Sequence, residues 1–365
     1  PLHLTHLEVL GFRNVSHADI DLSPGINLLV GENGAGKTAM LEAIYLLARG
    51  RSFRTTHSKQ LIKQDDDGFV VRAEVDMGQM THRLARGKSR GGASQAKIDG
   101  EPASKQSRFA ELLPLQTLLP GIADLVLDGP SIRREFVDWG LFHVEHQYLG
   151  ISRRYRKALV QRAAWLREGR GSAFHEDPWA YDIANQGAQI NHRRNGFVSS
   201  LDKRARQIFD ALGVSLKLQL IYQGIGATDD PTVAMAQLAD SYDRDSRHSI
   251  THIGPHRNDV DIVVNGANAK NTVSRGQAKL IASAIVLAYC AELSHQSSVL
   301  PALLLDDFGA ELDSSHRERF FLELERLGCQ VIATTTDEPH YLVGDALASR
   351  ARVFHVEHGG ISRYS

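Results

Sequence analysis

The chain has 365 residues, and at about 100–200 residues per domain this length predicts two or three domains. Charged residues make up 23% of the chain and hydrophobic residues 42%, which is typical of a folded globular protein and excludes a disordered, collagen-like or coiled-coil chain. The net charge of −1 excludes a chain that is basic overall, and having only two cysteines, Cys290 and Cys329, excludes a disulfide scaffold and a paired CxxC zinc site.

The first 50 residues predict strands, a glycine-rich loop and a helix in succession. Glycines are dense in residues 31–36, and residues 38–48 carry apolar side chains at helical spacing. Gly50 is placed to end that helix, because glycine readily adopts the conformation that follows a last helical turn. Three short strands are predicted upstream from alternating or apolar runs, at residues 4–10, 17–22 and 26–30.

The rest of the chain changes character twice. Residues 69–84 predict a β-hairpin or meander, and the composition of residues 87–95 predicts a loop. Residues 131–215 predict helices with arginine-rich polar faces. Further strands are predicted at residues 216–222, 260–264, 303–305 and 330–333, and a buried helix at 278–293.

A β-rich beginning and an α/β end therefore flank a helical middle. This order predicts an α/β nucleotide-binding lobe built from both ends of the chain, with a mainly helical lobe inserted. The predicted parts are residues 1–125, 126–257 and 258–365.

No segment predicts a membrane span or a secretory leader. The longest strongly apolar run without charged residues, 280–291, is shorter than the roughly 20 residues that a span needs. The first residues lack a basic region followed by a continuous apolar stretch. We therefore expect a cytoplasmic protein without a membrane partner.

The glycine-rich loop and the residues after it fit the P-loop pattern GxxxxGK[ST]. Glycines let backbone N–H groups approach phosphate oxygens, and the N-terminus of the following helix adds positive potential. Lys37 would neutralise the β- and γ-phosphates of ATP, and the Thr38 hydroxyl would coordinate Mg²⁺. The alternative is a glycine-rich turn before a helix. The predicted ATP-binding residues here are Gly31, Glu32, Asn33, Gly34, Ala35, Gly36, Lys37 and Thr38.

The apolar strand 303–305 ends in two acids, Asp306 and Asp307. Carboxylates at the end of a buried strand are costly unless they coordinate a cation or reach solvent. We therefore expect Asp306 to hold Mg²⁺, and Asp307 to act catalytically by orienting or deprotonating the attacking water. Lys37 is a second candidate catalytic residue. A strand ending in an acidic turn is the alternative.

Ser274, Arg275, Gly276 and Gln277 directly precede the predicted buried helix. Alone, this segment predicts no more than a helix cap. Between a P-loop and an acidic pair, it resembles the signature motif of ABC-type ATPases. In those proteins the signature of one protomer closes on nucleotide held by another, so the resemblance implies an ATP-dependent homodimer in which this segment acts in trans.

Seven segments, in order along nearly the whole chain, resemble the RecF family of bacterial recombinational DNA repair ATPases. The resemblance implies an ABC-type, SMC-like P-loop ATPase head with an inserted helical lobe and no long coiled-coil arms. The absence of sustained heptads between the P-loop and the signature agrees with this. The segments are residues 11–14, 31–38, 50–54, 129–138, 254–259, 274–277 and 306–308.

The resemblance also adds candidate site residues. Arg13 and Asn14 are implied to bind ATP, and Gln116 lies where such heads place a catalytic glutamine that contacts Mg²⁺ or water. The segment 120–124 departs from the family pattern, because no acid soon follows its proline. Residues 334–336 are threonines, where many members of the ABC-type family carry a switch histidine.

The function implied by the resemblance is ATP-dependent DNA binding in recombinational repair and replication restart. ATP would drive head-to-head dimerisation on DNA, and slow, DNA-dependent hydrolysis would release the dimer. The implied partners are RecR and RecO, which with this protein would promote RecA loading at single-strand gaps, and the implied location is the nucleoid. The segment 310–313 resembles the loop that crosses the dimer interface in ABC-type heads.

Two arginine-rich segments are candidates for DNA binding. Residues 83–108 hold seven cations against two acids, and residues 153–170 hold seven against one. A solvated helix face and a disordered loop are the alternative. Aromatic residues are sparse there, so backbone contact with duplex or with a duplex junction is favoured over base stacking. The candidates are Arg83, Arg86, Lys88, Arg90, Arg153, Arg154, Arg156 and Lys157.

Two other functions remain open from the residues alone. A transporter-type ABC ATPase subunit would need a hydrophobic docking surface and a switch histidine, and neither is evident. An SMC-associated or nuclease-type partner would need clustered acids or histidines at two-metal spacing. The one run of acids, residues 65–67, predicts a turn.

Overall fold

The computed structural model describes residues 2–169, 173–297, 299–310 and 312–363. The strands are β1 His3–Phe12, β2 Val15–Asp21, β3 Ile26–Val30, β4 Gly68–Asp76, β5 Thr81–Ser89, β6 Ser94–Ile98, β7 Glu101–Pro102, β8 Leu115–Leu118, β9 Leu218–Gln223, β10 Asp259–Val264, β11 Ala267–Asn268, β12 Ala302–Leu305, β13 Val331–Thr335, β14 Arg352–Glu357 and β15 Gly360–Arg363. The helices are α1 Lys37–Arg49, α2 Gln106–Leu112, α3 Asp124–Leu127, α4 Pro130–Val144, α5 Tyr148–Arg167, α6 Ala180–Ala211, α7 Pro231–His248, α8 Ala269–Thr272, α9 Arg275–Ser297, α10 Ser314–Leu327, α11 Pro339–Val343 and α12 Asp345–Ala348.

The chain folds into two compact units, and the second is inserted between the two ends that build the first. This is the α/β arrangement that the order of elements predicts. The first unit comprises Pro1–Ile122, Ala211–Val214 and Lys279–Ser365, and the second comprises Ala123–Asp210 and Ser215–Ala278.

The second boundary lies later than the predicted one at residue 258. Strand β10 pairs with β9 in antiparallel register, with Ile262 opposite Leu220. This pairing ties β10 to the second unit, and that unit continues to Ala278. The sequence predicts both strands, but which strand each one pairs with depends on contacts between distant parts of the chain.

The first unit is built on two sheets with helix α1 in contact with both. One sheet has the order β2-β1-β4-β5-β6-β7, and the other has the order β15-β14-β3-β13-β12-β8. In the second sheet β14, β3, β13, β12 and β8 run parallel. The apolar side chains of α1 and of the first sheet form a common core that includes Leu7, Leu41 and Ile44, each fully buried.

Parallel pairing brings the carboxyl ends of three strands together. Ala333 lies opposite Leu28 of β3 and Leu305 of β12. The segments that follow β3 and β12, and the last residues of β13, therefore meet at one edge of the sheet. In open α/β sheets this edge is where ligands bind.

The segment predicted to be a loop at residues 87–95 is instead part of a β-hairpin. Strand β5 continues to Ser89, and β6 begins at Ser94, with Gly87 paired to Gln95. Only residues 90–93 form the turn. The prediction failed because glycine and serine weaken a strand signal, whereas pairing with β4 on the other side of β5 supplies backbone hydrogen bonds that composition does not show.

Helix α9 is long and apolar enough to cross a membrane, and it is the one such helix in the described ranges. The helix is longer than the apolar run 280–291, and its additional residues at both ends are mostly polar. Its most apolar window is 78% buried inside the protein. This burial is what the core helix of a folded domain shows, as predicted for residues 278–293.

The second unit combines helices α3–α8 with the small sheet β11-β10-β9. Its longest helix, α6, has 32 residues. A buried ion-pair cluster joins its helices, because the fully buried guanidinium of Arg162 donates to Asp177 at 2.6 Å and to Asp245 at 2.6 Å. The Thr251 hydroxyl accepts a third bond from Arg162 at 2.8 Å.

Replacing Arg162 with alanine should destabilise the protein strongly. The change removes the guanidinium that both buried carboxylates share, and breaking a buried pair in this way costs about 3–5 kcal/mol. The measurement is the free energy of unfolding in urea. Arg108→Ala is the control, because Arg108 and its partner Glu111 are both exposed, and a surface pair contributes about 0–1 kcal/mol. Equal losses in the two variants would contradict the structural role given to Arg162.

Candidate functional site

The P-loop follows β3 and leads into α1, as the sequence predicts. Its backbone requires glycine at specific positions: Gly34 and Gly36 have φ angles of +83° and +119°, a region that residues with a Cβ atom rarely adopt. A Cβ on Gly31 would collide with the Val356 carbonyl oxygen. At these positions no side chain covers the loop, so its backbone N–H groups can approach an anion.

Lys37 lies at the start of α1 with its side chain folded over the loop. Its ammonium donates to the carbonyl oxygens of Gly31 at 2.6 Å and Glu32 at 2.8 Å. Burial lowers the pKa of Lys37, and the carboxylates of Asp307 and Asp306 oppose that shift. The ammonium of Lys37 and the two carboxylates are therefore close enough to interact electrostatically, although about 270 residues separate them in sequence.

Asp306 and Asp307 meet the P-loop at the end of β12. The Thr38 hydroxyl donates to the Asp306 carboxylate, at 2.9 Å from Oδ1 and 3.2 Å from Oδ2. Asp306 is buried, whereas Asp307 is exposed. A hydroxyl and a carboxylate in contact offer the hard oxygen donors that Mg²⁺ prefers, so these residues fit the ion.

These groups surround a cavity of about 530 Å³. A neighbouring cavity of about 540 Å³ shares Thr38, Arg54, Pro120 and Asp306 with it. Each has the size of an ordinary small-molecule site. The first cavity is lined by Arg13, Asn14, Asn33, Gly34, Gly36, Lys37, Thr38, Ala39, Arg54, Gln60, Pro120, Asp306, Asp307 and Thr334.

Arg13 and Asn14 lie on the wall of this cavity, in the turn between β1 and β2. The Asn14 amide donates to the Gly34 carbonyl at 2.7 Å, so it supports the P-loop directly. The Arg13 guanidinium is instead engaged by Glu42 through bonds of 2.9 and 2.6 Å. Glu42 is fully buried on α1. Arg13 therefore neutralises this buried acid in the structure.

Two further residues of the site were not predicted as such. Arg54 lines both cavities with a half-exposed side chain, and its Nη1 lies 3.8 Å from Glu42 Oε2. Thr334 donates a hydrogen bond to Asp306 at 2.8 Å. A signal for Arg54 was present, since it lies in the segment 50–54 that resembles the RecF family. The sequence marked residues 334–336 only as the place where many ABC-type heads carry a histidine, and it gave Thr334 itself no role.

Gln116 lies outside the two cavities of this site. It is buried in β8 opposite Leu303, three residues before the level of Asp306, and it lines neither cavity. Side chains alternate along a strand, so Thr117 faces the second cavity instead. The segment 119–122 follows Thr117 on that wall. The predicted contact of Gln116 with Mg²⁺ or water is therefore not supported by its position.

Ser274, Arg275, Gly276 and Gln277 lie exposed at the beginning of α9. The Gln277 N–H donates to Ser274 Oγ at 3.2 Å, and the Ser274 N–H donates to Gln277 Oε1 at 2.9 Å. This reciprocal arrangement is a capping box, so the helix-cap interpretation is correct for the local structure. It also leaves all four residues accessible to another molecule. Glu311, in the segment predicted to cross a dimer interface, lies outside the described residues.

The first basic cluster is largely engaged by neighbours in its own unit. Arg83 pairs with Glu74 at 3.0 Å, and Arg90 donates to the carbonyl oxygens of residues 66 and 63. Arg86 lies 3.9 Å over the ring of Phe109, and its burial lowers its pKa to about 10. Within the described ranges the ammonium of Lys88 has no such partner. Arg86 in particular is held by contacts inside its own unit, including a bond of 3.1 Å from its Nε to the Leu47 carbonyl oxygen.

The second basic cluster has the opposite character. Arg153, Arg154, Arg156 and Lys157 all lie exposed on helix α5. Arg156 donates to the Ser152 hydroxyl at 3.0 Å, and no acid pairs with any of the four in the described part of the chain. Arg170, at the end of the predicted segment, lies outside the described residues. The four cations form one unneutralised helix surface, which we call the α5 surface.

Comparison with known proteins places this geometry in a family. The family model for the N-terminal domain of RecF, RecN and SMC proteins matches residues 3–362. A DNA replication and repair protein RecF from Shewanella baltica is 34% identical over 361 residues, which cover 99% of both chains. RecF from Pseudomonas syringae pv. syringae is also 34% identical, over 99% of this chain and 98% of its own.

Solved structures agree with the sequence comparisons. The recombination mediator protein RecF with ATP, of the RecFOR pathway, has a TM-score of 0.85 and 26% identity, covering 100% of this chain and 98% of its own. An SMC head bound to the C-terminal winged-helix domain of ScpA has a TM-score of 0.62 at 16% identity and shares the fold. The fold is thus the predicted ABC-type, SMC-like head, and the chain belongs to the RecF/RecN/SMC family and, within it, to the RecF family.

Proposed function

We propose that this protein binds and hydrolyses ATP and uses ATP to control its binding to DNA in recombinational repair and replication. One observation carries the proposal: the contact of Thr38 with Asp306, which brings the P-loop and the acidic pair to one nucleotide-sized cavity. The relatives with 34% identity are replication and repair proteins, and the RecF structures with 26% identity contain ATP or its thio analogue.

Different residues of the cavity bind ATP, hold Mg²⁺ and take part in hydrolysis. The P-loop amides and Lys37 hold the phosphates, and Lys37 also compensates their negative charge. Mg²⁺ would be held by Thr38 and Asp306, and it supplies charge neutralisation on the β- and γ-phosphates when bound. Asp307 is exposed beside them, where it can orient the attacking water and accept its proton.

The signature segment supports an ATP-dependent homodimer. Residues 274–277 are exposed and lie at a helix N-terminus, which favours contact with an anion such as a phosphate. In ABC-type heads that contact is made with nucleotide held by a second protomer. We therefore propose that ATP binding closes two copies of this chain on one another and that hydrolysis releases them.

DNA binding is assigned to the α5 surface. Its four exposed cations are unneutralised, whereas most of the first cluster is held by partners within its unit. Lysine and arginine side chains on one helix face suit the regularly spaced phosphates of duplex DNA or a duplex junction. A dimer would present two such surfaces, so ATP-dependent association would raise DNA affinity through avidity.

The cellular role that we propose is supported by the relatives of this chain. The RecF structures are described as belonging to the RecFOR pathway. We propose that this protein acts with RecO and RecR, on DNA in the cytoplasm, to promote RecA loading at single-strand gaps.

Lys37→Met should weaken ATP binding by about 10- to 100-fold, since losing a hydrogen bond to a charged group costs about 1.5–3 kcal/mol. The fold should survive, because methionine can pack in the same space. Isothermal calorimetry with ATP measures the effect, and Lys105→Met, a change at an exposed lysine of the same unit, is the control. Equal affinity in the Lys37 variant and the wild type would contradict the P-loop assignment.

Ser274→Arg should separate ATP binding from dimerisation. The variant keeps its own P-loop, so ATP affinity should be unchanged, but the bulky cation should prevent the signature from closing on a partner. Sedimentation with ATP and Mg²⁺ should therefore find a monomer. Ser199→Arg, at an exposed serine of α6, should still dimerise. An ATP-stimulated dimer of the Ser274 variant would refute the action of residues 274–277 in trans.

Replacing Arg153, Arg154 and Lys157 by alanine should weaken duplex binding and flatten its salt dependence. Each lost phosphate contact should reduce the slope of log K against log salt by about 0.9. Fluorescence anisotropy at several salt concentrations measures both quantities. The control carries Arg83→Ala and Arg90→Ala, because those side chains are engaged within their own unit. A slope that falls only in the control would move the DNA site to the first cluster.

A further inference from the structure

Thr334 contacts both acids of the site, a contact that the sequence did not predict. It lies near the end of β13 and is 1% exposed. Its hydroxyl lies 2.8 Å from Asp306 Oδ1 and 2.9 Å from the backbone nitrogen of Asp307. One side-chain oxygen therefore contacts both the candidate metal ligand and the candidate catalytic acid.

The direction of these two bonds is determined by chemistry. A backbone N–H can only donate, so the Thr334 oxygen must accept from Asp307. The single hydroxyl proton is then free to be donated to the Asp306 carboxylate. The hydroxyl thus couples the position of the Asp306 side chain to the position of the Asp307 backbone.

The Asp307 backbone needs such support. Its φ angle is +50°, in the left-handed region where a residue with a Cβ atom is disfavoured. Aspartate tolerates this region better than most residues, but it does not prefer it. The bond from its N–H to Thr334 is a tertiary contact that holds the conformation and thereby directs the exposed carboxylate.

The carboxylate of Asp306 is held from two sides. Thr38 of α1 donates to it from the P-loop side, and Thr334 donates from β13. Asp306 thus has two hydroxyl donors, one of which belongs to the predicted metal site. The second donor leaves one orientation of the carboxylate favoured whether or not Thr38 also coordinates Mg²⁺.

We infer that Thr334 is a positioning residue for ATP hydrolysis, which orients Asp306 and Asp307 through its hydroxyl. The inference rests on the proposed ATPase function. Residues 334–336 lack the histidine that many ABC-type heads carry there, but β13 still contributes to the site through Thr334. Thr334 acts by holding Asp306 and Asp307 in position.

The test compares Thr334→Val, which keeps the shape but loses the hydroxyl, with Thr334→Ser, which keeps the hydroxyl. Single-turnover hydrolysis should slow by about 10- to 100-fold in the valine variant, because a misplacement of about 1 Å can cost about 100-fold. The serine variant should hydrolyse within about 3-fold of wild type. Asp307→Asn gives the rate expected when the catalytic acid itself is lost.

A binding measurement separates positioning from a purely structural role. ATP affinity without metal should be unchanged in both variants, because the P-loop is intact. The gain in affinity on adding Mg²⁺ should shrink in the valine variant and persist in the serine variant. Thr251→Val removes a similarly buried hydroxyl from the second unit. It should lower the midpoint of unfolding and leave hydrolysis unchanged.

The outcomes distinguish the inference from the function on which it rests. Wild-type hydrolysis and a wild-type Mg²⁺ effect in Thr334→Val would overturn the role of Thr334 alone. A wild-type protein that neither binds nor hydrolyses ATP would overturn both. If the valine variant does not fold, Thr334→Ala replaces it, and the serine variant must still restore both properties for the inference to stand.

Discussion

The hydrogen bond between Thr38 and Asp306 joins side chains 268 positions apart, and the rest of the site depends on it. It connects the first turn of α1 with the end of β12, two elements from opposite ends of the chain. The bond is possible because β3, β13 and β12 are parallel neighbours in one sheet. A sheet with these strands in another order would contain the same residues but would not form the cavity.

Buried and half-buried charges around the cavity are each compensated by a specific partner. Glu42 is matched by Arg13, and the ammonium of Lys37 is held by loop carbonyls and faces the field of two acids. Because an unpaired buried charge is costly, these pairings restrict each side chain to a narrow range of positions. Pairing of charges therefore helps to fix the positions of the side chains in the site.

The same residue type has different roles in the two basic clusters. Arginines on β5 and the following turn have acids, carbonyls or a ring within reach, so their charge is used to support the fold. Arg153, Arg154 and Arg156 extend instead from the exposed face of α5, where no acid of the described chain pairs with them. A count of cations predicts both clusters equally, but only the second combines charge with exposure and freedom to contact phosphate.

The sequence by itself determined the local features of this protein. The P-loop, its strand and its helix were predicted within a few residues, because glycine at required backbone conformations and periodic apolar residues are local signals. The acidic pair at the end of an apolar strand was also evident, and so was the insertion of a helical part between two α/β ends. The seven family segments identified the ABC-type head.

Only the tertiary structure decided which strands pair and what each polar side chain contacts. It placed residues 258–278 in the second unit, buried Gln116 in β8 and not on a cavity wall, and set Arg86 against Phe109. It also brought Thr334 between two acids. The physical reason is that strand register and the burial of a charge depend on residues far away in sequence, whereas the signals that sequence patterns carry extend over a few residues.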